Sequence, residues 1–286
     1  MNIVTGFVSG INRRGDRDLS KYIAFGLELM AVEIPITVFI EHSVFEEYVR
    51  HKLHIPVDNA IQTFFYQPLD NQQEPQYYSY LVAGHIRFVF FEKTDLFLWQ
   101  HKSLATAFSL NTGNPTKDTL EYMMVQCQKS EWLVIAEALS RQCEFEGIGK
   151  KEYVWIDFGV FHMFKGKIDA FQIELYKMRN RVNRRVLQYG ESTRVLFARC
   201  WDPNHSFFGD IYRDVNWTFA GSVFGGGSAA VLRFAKLMRD KCFCILNERN
   251  TLMWEINIWL LIYREHPDLF GMYPSDHSEI IFLHYA

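Results

Sequence analysis

Short apolar runs alternate with stretches of helical periodicity along this chain. Residues 3–8 read as a buried strand. A helix is predicted over 19–30, where Leu19, Tyr22, Ile23, Leu27 and Met30 fall on one side. Pro35 ends it, and further strands are predicted over 36–40 and 86–91. Ser43 and Glu46 have the spacing of a capping box that opens the next helix. Residues 67–80, rich in Gln, Tyr and Pro, read as a loop. A turn around Gly113 and Pro115 leads into a long helix over 119–142, and the apolar strand 153–156 ends on Asp157. A basic helix over 168–189 and a strand over 195–198 come next. An apolar run over 217–220 enters a glycine-rich turn, followed by helices over 228–241 and 251–263 and a last strand over 279–284. This alternation predicts an α/β class. With no repeat, linker or composition break, a single domain with a mixed sheet is expected.

Composition narrows the functional classes. The chain has 286 residues, 49% of them hydrophobic and 16% aromatic, with a net charge of −3. A disordered chain and a nucleic-acid binder acting through general electrostatics do not fit those values. No apolar run approaches the roughly 18 residues that span a bilayer. The first residues lack a basic leader region, so no secretory leader is expected. Five cysteines without a C-x-x-C pair read as reduced thiols in a cytoplasmic protein. The sequon at Asn216 matters only in a secreted chain. Four arginines, Arg179, Arg181, Arg184 and Arg185, crowd the basic helix, and a solvated face accounts for them better than nucleic acid does.

Three stretches carry candidate chemistry. In Trp155-Ile156-Asp157-Phe158-Gly159, a carboxylate ends a buried strand, where open α/β sheets bind ligands. Asp157 suits a hard divalent cation such as Mg²⁺ or Mn²⁺; a turn cap or an arginine pair would explain it equally. Residues 221–227 hold Gly221, Gly225, Gly226 and Gly227 ahead of a helix. That segment is either a phosphate cradle, through Gly225 and Gly226, or a structural turn. Glu255 lies among apolar helix residues between Trp254 and Ile256. It reads as a general base or sugar-hydroxyl acceptor, or else as an ordinary exposed acid.

In order, these pieces are an opening strand before an Arg-containing loop, Lys129-Ser130, Trp155-Ile156-Asp157-x-Gly159-x-x-His162, residues 220–226, Glu255, and His266-Pro267-Asp268-Leu269-Phe270. In that order they resemble the HtrL/YibB family of glycosyltransferase-like proteins over nearly the whole chain. The resemblance implies a GT-A-like fold with a mixed, mostly parallel sheet flanked by helices. It also implies a nucleotide-sugar-binding half over about 1–160 and an acceptor half over 161–286. The expected activity moves a sugar from a nucleotide-diphosphate sugar, a UDP-sugar by expectation, to a glycan or other hydroxyl acceptor, with Mn²⁺ or Mg²⁺ as cofactor.

By that likeness, and that of glycogenin-type transferases, Asp157 and the late His284 match metal ligands and Glu255 the acidic helix residue. Thr5, Arg13, Arg14 and Lys129 fall on the donor side; Trp217, Phe219 and Trp254 offer ring faces to an acceptor sugar. The usual Asp-x-Asp is broken, because Gly159 stands at its second position. That departure favours the rival reading, a sugar- or nucleotide-binding module that keeps the fold without catalysis.

Overall fold

A computed structural model describes residues 1–11, 18–69, 74–142 and 151–285. The chain is α/β: nine strands form one mixed sheet with helices on both faces. The strands are β1 (Asn2–Phe7), β2 (Ile36–Glu41), β3 (Gln62–Tyr66), β4 (Gln76–Ala83), β5 (Ile86–Phe91), β6 (Glu152–Ile156), β7 (Val195–Arg199), β8 (Phe219–Gly227) and β9 (Phe270–Pro274). Their spatial order is β3-β4-β5-β2-β1-β6-β8-β7-β9. Four pairings are parallel and four antiparallel; seven strands run in one direction, and β4 and β8 run against them, so the sheet is mixed.

The helices are α1 (Leu19–Met30), the short α2 (His42–Val44), α3 (Leu120–Gln142), α4 (Ile168–Tyr189), α5 (Ser228–Arg249) and α6 (Glu255–Glu265). Helices α3, α5 and α6 cover one face, where Trp132, Phe197, Phe224, Phe234 and Trp259 pack together. Helices α1 and α4 cover the other, over Ile23, Phe45, Phe171, Leu175 and Phe282. Most of the aromatic load is accounted for by these two cores. Trp132 stacks between Phe39 and Trp155, with ring centroids 5.4 and 5.6 Å away.

Five sequence expectations are corrected. Part of the stretch over 67–80 is strand: β4 alternates buried Tyr78 and Tyr80 with more exposed neighbours and pairs with β3 and β5. Tyr and Gln hid that period-two pattern behind a loop-like composition. No capping box forms at Ser43. The helical segment starts one residue earlier, at His42, and runs into a π-helical turn (Phe45–Val49), while Glu46 instead pairs with Arg50 at 2.6 Å. The glycine-rich segment is strand and not turn, because β8 runs through Gly227. The last strand is β9, and Glu279–Phe282 forms a 3-10 helix opened by Ser278, whose hydroxyl accepts from the Ile280 N–H. The helix expected over 251–263 begins only at Glu255, after a buried lead-in of Leu252, Met253 and Trp254.

Two arginines of α4 are spent inside the fold. Arg185 pairs with the buried Glu152 at the start of β6, and Arg181 donates to the carbonyls of Phe282 and Tyr285. Asn216, the sequon residue, is buried, and its Oδ1 accepts from the Thr218 N–H and hydroxyl.

Candidate functional site

The chain leaves β1 for β2 and β5 on one side, then returns to place β6 on β1's other side. A strand order that reverses in this way opens a crevice beyond the carboxyl ends of the strands. A cleft of 530 Å³ lies there, lined by the ends of β1 and β6, the start of α1, one side of α3 and the entry to α6. Phe7 on β1, Tyr22 on α1 and Phe158 after β6 form one aromatic corner, with Phe7 5.1 Å from Phe158 and 6.2 Å from Tyr22. Trp217 and Trp254 form another wall, their rings 6.1 Å apart, and His277 sits edge-on to Trp217 at 4.4 Å.

Between these walls lies a charged cluster. Asp157 follows β6 directly, and its N–H donates to the Ser222 carbonyl at 2.9 Å. Its Oδ1 accepts from the Trp155 indole at 2.7 Å and from the Lys129 ammonium at 3.0 Å. Lys129, on α3, also donates to the Gly221 carbonyl at 3.1 Å and to Glu255 Oε1 at 3.3 Å. Three acceptors thus use all three ammonium hydrogens. The Lys129 side chain is 4% exposed and that of Glu255 is 3% exposed, whereas Asp157 is 36% exposed and opens on the cleft.

Burial works against the Lys129 charge, but Asp157 and Glu255 outweigh it and raise its pKa above the ordinary lysine value. The ammonium is therefore a fixed part of the site.

Glu255 is the first residue of α6, where a carboxylate also meets the positive end of the helix dipole. Its Oε2 is buried and has no hydrogen-bond partner among the described residues, and neither does the Nε1 of neighbouring Trp254. Gly221 is required for this placement, since a Cβ there would collide with Glu255 Oε1. Asn257, two residues on, is fully buried. Its Oδ1 accepts from the Asn216 N–H at 2.8 Å, and its amide donates to the Ile211 and Asp214 carbonyls, each at 2.7 Å. It therefore ties the segment carrying Trp217 to the start of α6.

The expected site residues divide accordingly. Asp157, Lys129, Glu255, Trp217 and Trp254 all line the cleft. Thr5 is buried beneath it, while its neighbours Gly6 and Phe7 provide the lining. Phe219 belongs to the core, packed on Phe197 and Phe270. Gly225 and Gly226 lie inside the sheet, away from the cleft. A Cβ on Gly225 would strike the Tyr153 carbonyl, and one on Gly226 would come within 2.6 Å of the Arg194 carbonyl. Their missing side chains let three strands pack closely, so they cradle no phosphate in this cleft. His284 is exposed and does not line the cleft; the late histidine that does is His277. Arg13 and Arg14 lie outside the described residues.

His277, His162, Phe7 and Tyr22 line the cleft without having been singled out as site residues. His162 was visible as the end of the Trp155–His162 stretch, but His277 carried no signal beyond its residue type. Burial lowers the His277 pKa against the opposing pull of Asp276, and its Nε2 lies 3.9 Å from Cys200 Sγ. Burial pushes the Cys200 thiol up to about 11. The chain matches no protein-family model, and no curated protein matches its sequence.

Proposed function

We propose that this chain is an HtrL/YibB-like glycosyltransferase of GT-A type, moving a sugar from a UDP-sugar to a hydroxyl acceptor. The observation that carries this reading is the Asp157–Lys129–Glu255 cluster set between two aromatic walls at the strand-order reversal. The Phe7–Tyr22–Phe158 corner suits a flat base, and Trp217 and Trp254 suit the apolar face of a sugar ring. Lys129 holds both carboxylates in place, so they need no reorganisation during the reaction. Glu255 then stabilises positive charge as it develops at the sugar carbon, or takes the acceptor hydroxyl proton.

A divalent ion fits the donor set through Asp157. Its half-open carboxylate is a hard oxygen ligand, and among the described residues the cleft is lined by the carboxylates of Asp18, Asp157 and Glu255 and the ammonium groups of Lys117 and Lys129. No group of three His, Cys, Asp or Glu side chains gathers for a metal among the described residues, so phosphate oxygens and water would complete its shell. When bound, the ion would neutralise the departing diphosphate.

The break of Asp-x-Asp at Gly159 keeps a second reading, a binding module without turnover. A thermal-shift panel of nucleotide sugars with and without Mn²⁺, followed by assay of free nucleotide, separates the two. Stabilisation with nucleotide release is the outcome expected for the transferase. Stabilisation without release supports the module, and no stabilisation by any nucleotide sugar contradicts both.

A further inference from the structure

Helix α4 turns a basic face to solvent. Residues 165–189 hold seven Lys and Arg against Asp169 and Glu174, a net of +5 in a chain of −3. Arg181 and Arg185 are spent on the carbonyls of Phe282 and Tyr285 and on Glu152. Lys165, Lys167, Lys177 and Arg184 are exposed, with Lys177 paired to Glu174 at 2.8 Å. Ile173, Lys177, Arg184 and Leu187 follow one another at spacings of four, seven and three, which set all four on one side of the helix. On that side Ile173 is 51% exposed and Leu187 87% exposed. The two aliphatic side chains stand about 21 Å apart along the axis, with the cations between them.

We propose that the outer face of α4 seats the protein on an anionic lipid surface, with Lys165, Lys167, Lys177 and Arg184 against the headgroups and Ile173 and Leu187 dipping below them. Charge complementarity draws a locally basic face of a slightly acidic chain to such a surface. Aliphatic side chains set among cations add apolar burial at the boundary between headgroups and acyl chains. Nucleic acid would use the cations and leave the aliphatic pair in water, because its affinity comes from phosphate contacts. A protein partner fits less well, since lysine is depleted in protein–protein interfaces. The contact is peripheral, made by one exposed helix face, and it stands whether or not the cleft transfers a sugar.

The test is co-sedimentation of the full chain with vesicles, either pure phosphatidylcholine or equal parts phosphatidylcholine and phosphatidylserine. The wild type should bind the anionic vesicles at least about tenfold more tightly than the neutral ones, and that preference should shrink as salt is raised. The double variant Lys167→Glu with Arg184→Glu should bind both kinds of vesicle equally. The double variant Ile173→Ser with Leu187→Ser should bind the anionic vesicles more weakly than wild type does while keeping a preference for them. All four positions are exposed, and thermal melting checks that each variant is folded. If a variant does not fold, the wild-type comparison decides alone. Equal binding of the wild type to both vesicles, or no binding to either, overturns the proposal. So does undiminished anionic binding by either folded variant. Displacement of the vesicles by a duplex oligonucleotide at equal phosphate concentration overturns it in favour of nucleic acid.

Discussion

Lys129 holds two carboxylates from a position on α3 that is only 4% exposed. Removing one partner of a buried ion cluster leaves charges without compensation, which costs about 3–5 kcal/mol. Lys129→Met should therefore lower the urea midpoint by an amount corresponding to that loss, with an unchanged m-value. Gly221→Ala acts on the same cluster by sterics. The new methyl displaces Glu255, costing about 1–3 kcal/mol for overpacking, and nucleotide release should fall more than stability does. His277 supplies a pH signature. Its folded pKa lies below the unfolded value, so the unfolded chain binds more protons between the two, and stability is lost as pH falls through that window. The melting temperature of the wild type should thus fall more between pH 7 and pH 5 than that of His277→Asn. An equal fall in both would remove His277 as the cause.

Among the elements, α6 and its lead-in do the most to position the site. Asn257 draws the carbonyls of Ile211 and Asp214 and the N–H of Asn216 to the helix start. Asn257→Ala strands these buried groups and should cost about 3 kcal/mol or more, measured by denaturant titration. It should also weaken acceptor binding through Trp217. The long helices and the strands β1, β2, β5, β6 and β7 were legible because apolar runs and helical periodicity report burial directly, whereas β3, β4 and β9 were not. Asp157 at the end of β6 was legible for the same reason. Element chemistry was less so. Glycines in β8 mark close approach between strand backbones, and sequence cannot separate that requirement from a turn. The tyrosines of β4 read as polar although two of them are buried. His277 reaches the cleft only through the packing of the chain's last segment, which no local pattern encodes.

For the molecule as a whole, the sheet brings residues far apart in sequence to one crevice. Lys129, Asp157, Gly221 and Glu255 come from α3, the end of β6, β8 and α6, and they meet where the strand order reverses. None of the helices among the described residues is long and apolar enough to cross a membrane. The net charge is close to balance, and of the two carboxylates that Lys129 holds, Asp157 is the more open. The most direct measurement is release of UDP from a panel of UDP-sugars, in Mn²⁺, by wild type and by Asp157→Asn, with the fold of both checked by thermal melting. The account predicts release by the wild type with at least one sugar and a loss of about 100-fold or more in the variant, the scale of removing one preorganised electrostatic group. Equal release by a folded Asp157→Asn would contradict it.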